Sequence, residues 1–133
     1  LRAEYTLPDV SQTVILTRME GRTPVPEREQ IESLAAHGAT MVIFLSAGQL
    51  ERLSARLIEG GYAPETPAAI VYKATWPDEK VVRTTVGGLA EAGAREGITK
   101  TALITVGGFL GDSYERSKLY DPAFTTGFRE ATK

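Results

Sequence analysis

The chain has 133 residues, with 15 basic and 17 acidic side chains, a net charge of −2, one histidine and no cysteine. Disulfide scaffolds, cysteine-ligated zinc or iron–sulfur sites and any site needing two imidazoles are thereby excluded. The charge also has the wrong sign for a protein whose main partner is the nucleic-acid backbone. Apolar content of 42% with 24% charged residues fits an ordinary globular domain with one core. No apolar run approaches the ~20 residues of a membrane span. The amino end, Leu1 to Val10, is polar and mixed rather than a signal peptide, and it begins on leucine, which suggests processing or a piece of a longer chain.

Short β-branched apolar runs predict strands, and amphipathic stretches between them predict helices. The first strand is expected at Thr13 to Leu16. A helix follows over Glu27 to Ala36, entered through Pro24 and Pro26 and stopped at Gly38. Met41 to Leu45 reads as the second strand. The next helix, Gln49 to Glu59, aligns Leu50, Leu53, Leu57 and Ile58 and ends at Gly60-Gly61. Ala68 to Tyr72 is a third strand, with the polar run Lys80 to Thr85 as its edge or hairpin partner. Val86 to Glu96 is a helix weakened by its glycines, and Ala102 to Val106 is the last strand. Continuous apolar runs suit strands covered on both faces. The alternation predicts an α/β fold, a mixed sheet with parallel pairs flanked by helices. From Gly107 to Lys133 the pattern fades into glycine, aromatic and charged residues, a stretch that should pack on this chain or on a partner.

Few residues carry chemistry by themselves. There is no G-x-x-x-x-G-K-S/T, no G-x-G-x-x-G and no H-E-x-x-H. Gly107-Gly108 follows a buried strand, and ligands of open α/β sheets bind beyond strand carboxyl ends; a simple turn explains the pair equally well. Ser46 reads as a helix cap rather than a nucleophile, and His37 as a charge at a helix end. Asp112, Glu115 and Asp121 read as solvated charges. Arg18 and Arg22, around Met19-Glu20-Gly21, suit either bidentate grip on a carboxylate-rich ligand or a surface balanced by Glu20. In Lys73-Ala74-Thr75-Trp76-Pro77, small Ala74 and Thr75 leave room for a flat ligand against backbone groups, while Trp76 equally reads as a turn plug. No acid–base dyad or triad emerges, so no catalytic residue is assigned, and no metal ligand set either.

The order of segments adds more. SQTVILTRMEGRTPVPE (Ser11 to Glu27), HGATMVIFLSAGQL (His37 to Leu50), AAIVYKATWPDEKVVRTTVGGL (Ala68 to Leu89) and TALITVGGFLG (Thr101 to Gly111) together resemble the carboxyl-terminal half of the tetrapyrrole (corrin and porphyrin) methyltransferases. The closing ERSKLYDPAFTTGFRE (Glu115 to Glu130) is most similar to members that methylate carbon 11 of precorrin-4 or cobalt-precorrin-4 in cobalamin biosynthesis. Such enzymes have two α/β domains with S-adenosylmethionine in the cleft between them, and the amino-terminal one brings a G-x-G-P-G-D loop that this chain lacks. The resemblance therefore implies that residues 1–133 are one carboxyl-terminal domain, with residues 107–133 a subfamily-specific tail within it. It also implies a cytoplasmic, homodimeric methyltransferase whose other half is needed for activity. Other methylases of the fold, including uroporphyrinogen-III C-methyltransferase and diphthine synthase, remain open, as does a non-enzymatic ligand or interaction domain.

Carried over residue by residue, the resemblance assigns Leu45, Ala74, Thr75, Ala102, Leu103 and Gly107 to S-adenosylmethionine. Leu45 stands where the family has a methionine packed on the cofactor, and Ala74 where it has the glycine of Asn-Gly-Thr. Ala102 and Leu103 fall where main-chain groups line the adenine pocket. Thr17, Arg18 and Arg22 fall on the border of the trough for the tetrapyrrole, whose acetate and propionate arms suit cationic residues.

Overall fold

Five strands and three helices make up the described part of the computed structural model, residues 3–111. The strands are β1 (Val14–Arg18), β2 (Thr40–Phe44), β3 (Pro67–Tyr72), β4 (Lys80–Thr85) and β5 (Ala102–Val106). They form one sheet in the order β1-β2-β5-β3-β4. Each expected strand is present within one or two residues. The polar run is indeed the edge hairpin partner of β3, paired from Pro67↔Thr85 to Tyr72↔Lys80.

The sheet is mixed, as expected, with fewer parallel pairs than the alternation predicts. One pair, β1 with β2, is parallel, while β5 runs antiparallel to both of its neighbours, β2 and β3. The hairpin from β3 into β4 makes the reversal, and the helical crossover that follows carries β5 into the middle of the sheet in the same direction as β4.

The helices are α1 (Ile31–Ala35), α2 (Leu50–Gly60) and α3 (Leu89–Arg95). The single helix expected over Glu27 to Ala36 is broken: Glu27–Glu29 is one 3-10 turn, and Gln30 is extended, with ψ 148°, before α1 begins. The helix expected from Val86 likewise opens as a 3-10 turn at Val86–Gly88, where the Thr85 hydroxyl accepts from the Gly88 N–H. The side chain at Ser46 does not cap the following helix. It is fully buried and donates to the Ile43 carbonyl at 3.4 Å.

Alternation along the strands sorts the sheet into two faces. Met41, Ile43, Ala68, Ile70, Val82, Ile104 and Val106 share one core with Ile31, Ala35, Leu53, Leu57 and Leu89 of the helices. On the other face the amino-terminal segment covers one end, with the Thr40 hydroxyl donating to the Tyr5 carbonyl and Leu7 almost wholly buried. At the opposite end of that face Leu16, Phe44 and Leu45 lie exposed. The tail expected to pack lies, beyond Gly111, outside the described residues.

Candidate functional site

Because β5 is antiparallel, its amino end meets the carboxyl ends of β2 and β3 at one edge of the sheet. There the segments Phe44–Leu45, Lys73–Trp76 and Thr99–Leu103 surround an open recess of about 470 Å³, with Ala47, Gly48 and Val71 completing it. Leu45, Ala74, Ala102 and Leu103 all line it. Thr75 does not, although its N–H is held by Glu79 Oε1 at 3.1 Å in the turn beside Ala74. Gly107 is at the far edge: its N–H bonds the Pro67 carbonyl at 3.0 Å, and an added Cβ would meet Thr40. The reversal of β5 carries it there, so Gly107 is no part of this site.

Two features set the recess apart chemically. The β5 ladder with β3 runs on to Tyr72↔Ala102, but the ladder with β2 stops at Ile43↔Ile104. Ala102 and Leu103 thus have no ladder partner on the β2 side. Successive strand residues alternate the direction of their polar groups, so one of the two presents its N–H and C=O to the recess. The second feature is backbone strain. Among the described residues five non-glycine positions have positive φ, and four of them belong to this edge: Leu45 (55°), Lys73 (47°), Thr75 (72°) and Thr101 (58°). The left-handed region is a steric outlier for bulky or β-branched side chains, and such strain concentrates where ligands are held. Part of its geometry is fixed by the Lys73 N–H, which donates to the Thr101 carbonyl at 2.8 Å and ties two walls together.

The rim is aromatic and cationic. Lys73 Nζ lies 5.2 Å from the Tyr72 ring centre and 5.3 Å from that of Trp76, and pairs with Asp78 at 2.7 Å. That carboxylate holds the ammonium above its ordinary pKa, and the ammonium holds Asp78 below its own.

A second recess of about 410 Å³ adjoins the first. It is lined by Leu16, Thr17, Arg18, Val25, Pro26, Glu29, Phe44 and Leu45. The Arg18 guanidinium is already engaged: it donates to the carbonyls of Met19 (3.2 Å), Thr23 (3.1 Å) and Pro24 (3.3 Å). It shapes the loop wall more than it offers charge. Arg22 is exposed on that loop, outside the lining. From the other side Arg56 of α2 clamps the same loop, donating to Glu20, Gln30 and Glu32.

The family model for tetrapyrrole (corrin/porphyrin) methylases matches residues 1–90. The chain belongs to the tetrapyrrole methylase family. Cobalt-precorrin-4 C(11)-methyltransferase of Methanocaldococcus jannaschii is 53% identical over 134 residues, covering 100% of this chain and 52% of that protein. A crystal structure of a cobalt-precorrin-4 methyltransferase superposes with a TM-score of 0.78 at 52% identity, covering 81% of this chain and 45% of that one. The uroporphyrin-III C-methyltransferase of Thermus thermophilus, complexed with S-adenosylhomocysteine, shares the fold (TM-score 0.66, 18% identity, 80% and 47% covered). The chain thus spans about half the length of the methylases it matches. Among the described residues no helix is long and apolar enough to cross a membrane.

Sequence reading found the Lys73–Trp76 turn and the start of β5 but missed Thr99, Lys100, Thr101 and Phe44 as walls. No motif marks them; Thr99, Lys100 and Thr101 enter the site only because β5 runs antiparallel, and Phe44 because it ends β2.

Proposed function

We propose that the 470 Å³ recess is one wall of an S-adenosylmethionine site and the adjoining recess one border of a tetrapyrrole site, in an enzyme that methylates carbon 11 of precorrin-4, in its cobalt form or without cobalt, for cobalamin biosynthesis. One observation carries the reading: the unladdered start of β5 and four strained residues meet at a single edge, together with four of the positions that the family resemblance assigns to the cofactor. Those groups fit the cofactor's chemistry. A free strand edge offers the paired donor and acceptor that an adenine edge requires, and Ala74 and Leu45 supply apolar contact. When bound, S-adenosylmethionine supplies a methyl group activated by sulfonium charge; its carbon–sulfur bond breaks with the electron pair left on sulfur, and a bond to the ring carbon forms. The chain's part is alignment, which accounts for ~7–11 kcal/mol in well-oriented reactions.

Arg22, exposed on the loop, would meet the carboxylate arms, with Thr17 in the lining and Arg18 as the residue that shapes the loop. The other wall of the cleft is a second α/β unit carrying the G-x-G-P-G-D loop, consistent with the half-length match to the relatives. A homodimer and a cytoplasmic setting suit the exposed apolar edge and the cysteine-free chain.

Calorimetry with S-adenosylhomocysteine on the full-length protein tests the reading, paired with methyl transfer from labelled S-adenosylmethionine to cobalt-precorrin-4. Ala74→Trp fills the recess and lowers affinity by about 100-fold or more, roughly the loss of 3 kcal/mol of contact. Unchanged affinity in a folded Ala74→Trp variant places the cofactor elsewhere.

A further inference from the structure

The two recesses share two lining residues, Phe44 and Leu45. Phe44 is an ordinary strand residue, paired with Arg18 across β1 and β2. Leu45 is not ordinary. Its backbone is left-handed at φ 55°, yet its side chain is 78% exposed, so no burial offsets the strain. Both flanks are anchored: β2 precedes it, and Ser46 behind it is fully buried, with its carbonyl accepting from the Gln49 N–H at 2.9 Å. A strained backbone held between two fixed neighbours aims one apolar side chain at the junction.

We infer that Leu45 is a partition between the two recesses, a positioning residue that touches both occupants and holds them in register. This rests on the reading of the recesses given above. Reacting atoms must approach to roughly 3–3.5 Å. A side chain in the common wall of two sites that close together contacts both ligands, so each ligand helps to order the surface that the other uses. The consequence is a positive coupling between them that passes through the isobutyl group. A residue serving only the turn behaves differently: glycine is the natural occupant of a left-handed position, and replacing leucine there relieves strain with no effect on ligand coupling.

The test uses the full-length protein with S-adenosylhomocysteine and uroporphyrin III as probes. Calorimetry gives the affinity for the first, with and without saturating amounts of the second, in wild type, Leu45→Gly and Leu45→Met. Wild type shows a tightening of about fivefold or more, within the usual range for coupled sites. Leu45→Gly loses the tightening while its melting temperature rises by about 2–4 °C. Leu45→Met, which keeps the bulk, restores the coupling without the thermal gain. If both probes bind and Leu45→Gly retains full coupling, the partition is wrong and the functional reading stands. If wild type binds neither probe, the functional reading fails and the partition falls with it.

Discussion

Replacing Arg56 by methionine should be among the most damaging single changes in the chain. The guanidinium is buried, with a side-chain exposure of 10%, and it donates to Glu32 Oε2 at 2.8 Å as well as to Glu32 Oε1, Glu20 Oε1 and Gln30 Oε1. Arg52 gives Glu20 a second contact at 2.8 Å, but Glu20 Oε2 is buried and already without a partner. Methionine keeps most of the packing of the aliphatic stem and removes every one of these donors. Glu32, 29% exposed, then loses its cation, and Glu20, 20% exposed, keeps its bridge to Arg52. Breaking a buried charge pair by removing one side costs about 3–5 kcal/mol, and residual hydration of Glu32 puts this case near the lower end, about 3 kcal/mol. With a urea slope of about 1.5 kcal/mol/M, the midpoint falls by about 2 M in unfolding followed by circular dichroism. The acid limb changes too. Hydrogen bonding from Arg56 holds the Glu32 carboxyl below its ordinary 4.5, so the pair contributes stability above that pH, which is lost as pH falls through the lowered value. In Arg56→Met this contribution is absent, and the acid limb becomes shallower. A loss below about 1 kcal/mol, or an unchanged acid limb, refutes the assignment of Arg56 as the clamp of the β1–α1 loop.

Two further outcomes follow from packing and burial. Gly60→Ala would place a Cβ 2.7 Å from the Glu32 carbonyl oxygen and 2.6 Å from Ala35 Cβ, so α1 and α2 must separate. A destabilisation of about 1–3 kcal/mol in urea outweighs the helix-propensity gain of alanine; a stabilised variant shows that the helices are not in such contact. Tyr62 donates to the Ala39 carbonyl from a buried position, and burial pushes its phenol up to about 12 from 10.0. Its neutral form therefore contributes stability that is full below pH 10 and is lost between about 10 and 12. Tyr62→Phe lowers stability at pH 7 by about 1 kcal/mol through the lost hydrogen bond and makes the alkaline limb shallower; an unchanged alkaline limb rejects burial of the hydroxyl.

The runs Met41 to Leu45, Ala68 to Tyr72 and Ala102 to Val106 are legible as strands because their β-branched, apolar residues fit a pleated surface with buried faces. The polarity of Lys80 to Thr85 made an edge hairpin legible in the same way. The direction of β5 was not legible. The same apolar run serves a parallel or an antiparallel strand, so Gly107 was assigned to the ligand edge when it lies at the other. Left-handed Leu45, Lys73 and Thr101 leave no trace in composition, since glycine or asparagine is the usual sign of such a backbone. Arg18 shows a similar limit: an arginine near a strand end can serve a ligand's carboxylates or its own loop's carbonyls, and its donations to the carbonyls of Met19, Thr23 and Pro24 leave no mark in the sequence. The clamp on that loop joins Arg56 to residues 24 to 36 positions away, a spacing that no local pattern records. The family resemblance, by contrast, singled out Leu45, Ala74, Ala102 and Leu103, which the fold brings together in the lining of one recess.

Trp76 is the single tryptophan of the chain, and its ring stands 55% exposed on the recess rim, 5.3 Å from the Lys73 ammonium. An indole in that position is an intrinsic optical probe. Half in water and half against a cation, it emits according to how wet the rim is and where the ammonium sits. An occupant that dries the rim or draws Lys73 toward an acidic group would move the emission maximum and intensity without any added label. Within this chain the signal has one source, so a spectral change under titration reports on this one edge of the sheet and not on the fold at large.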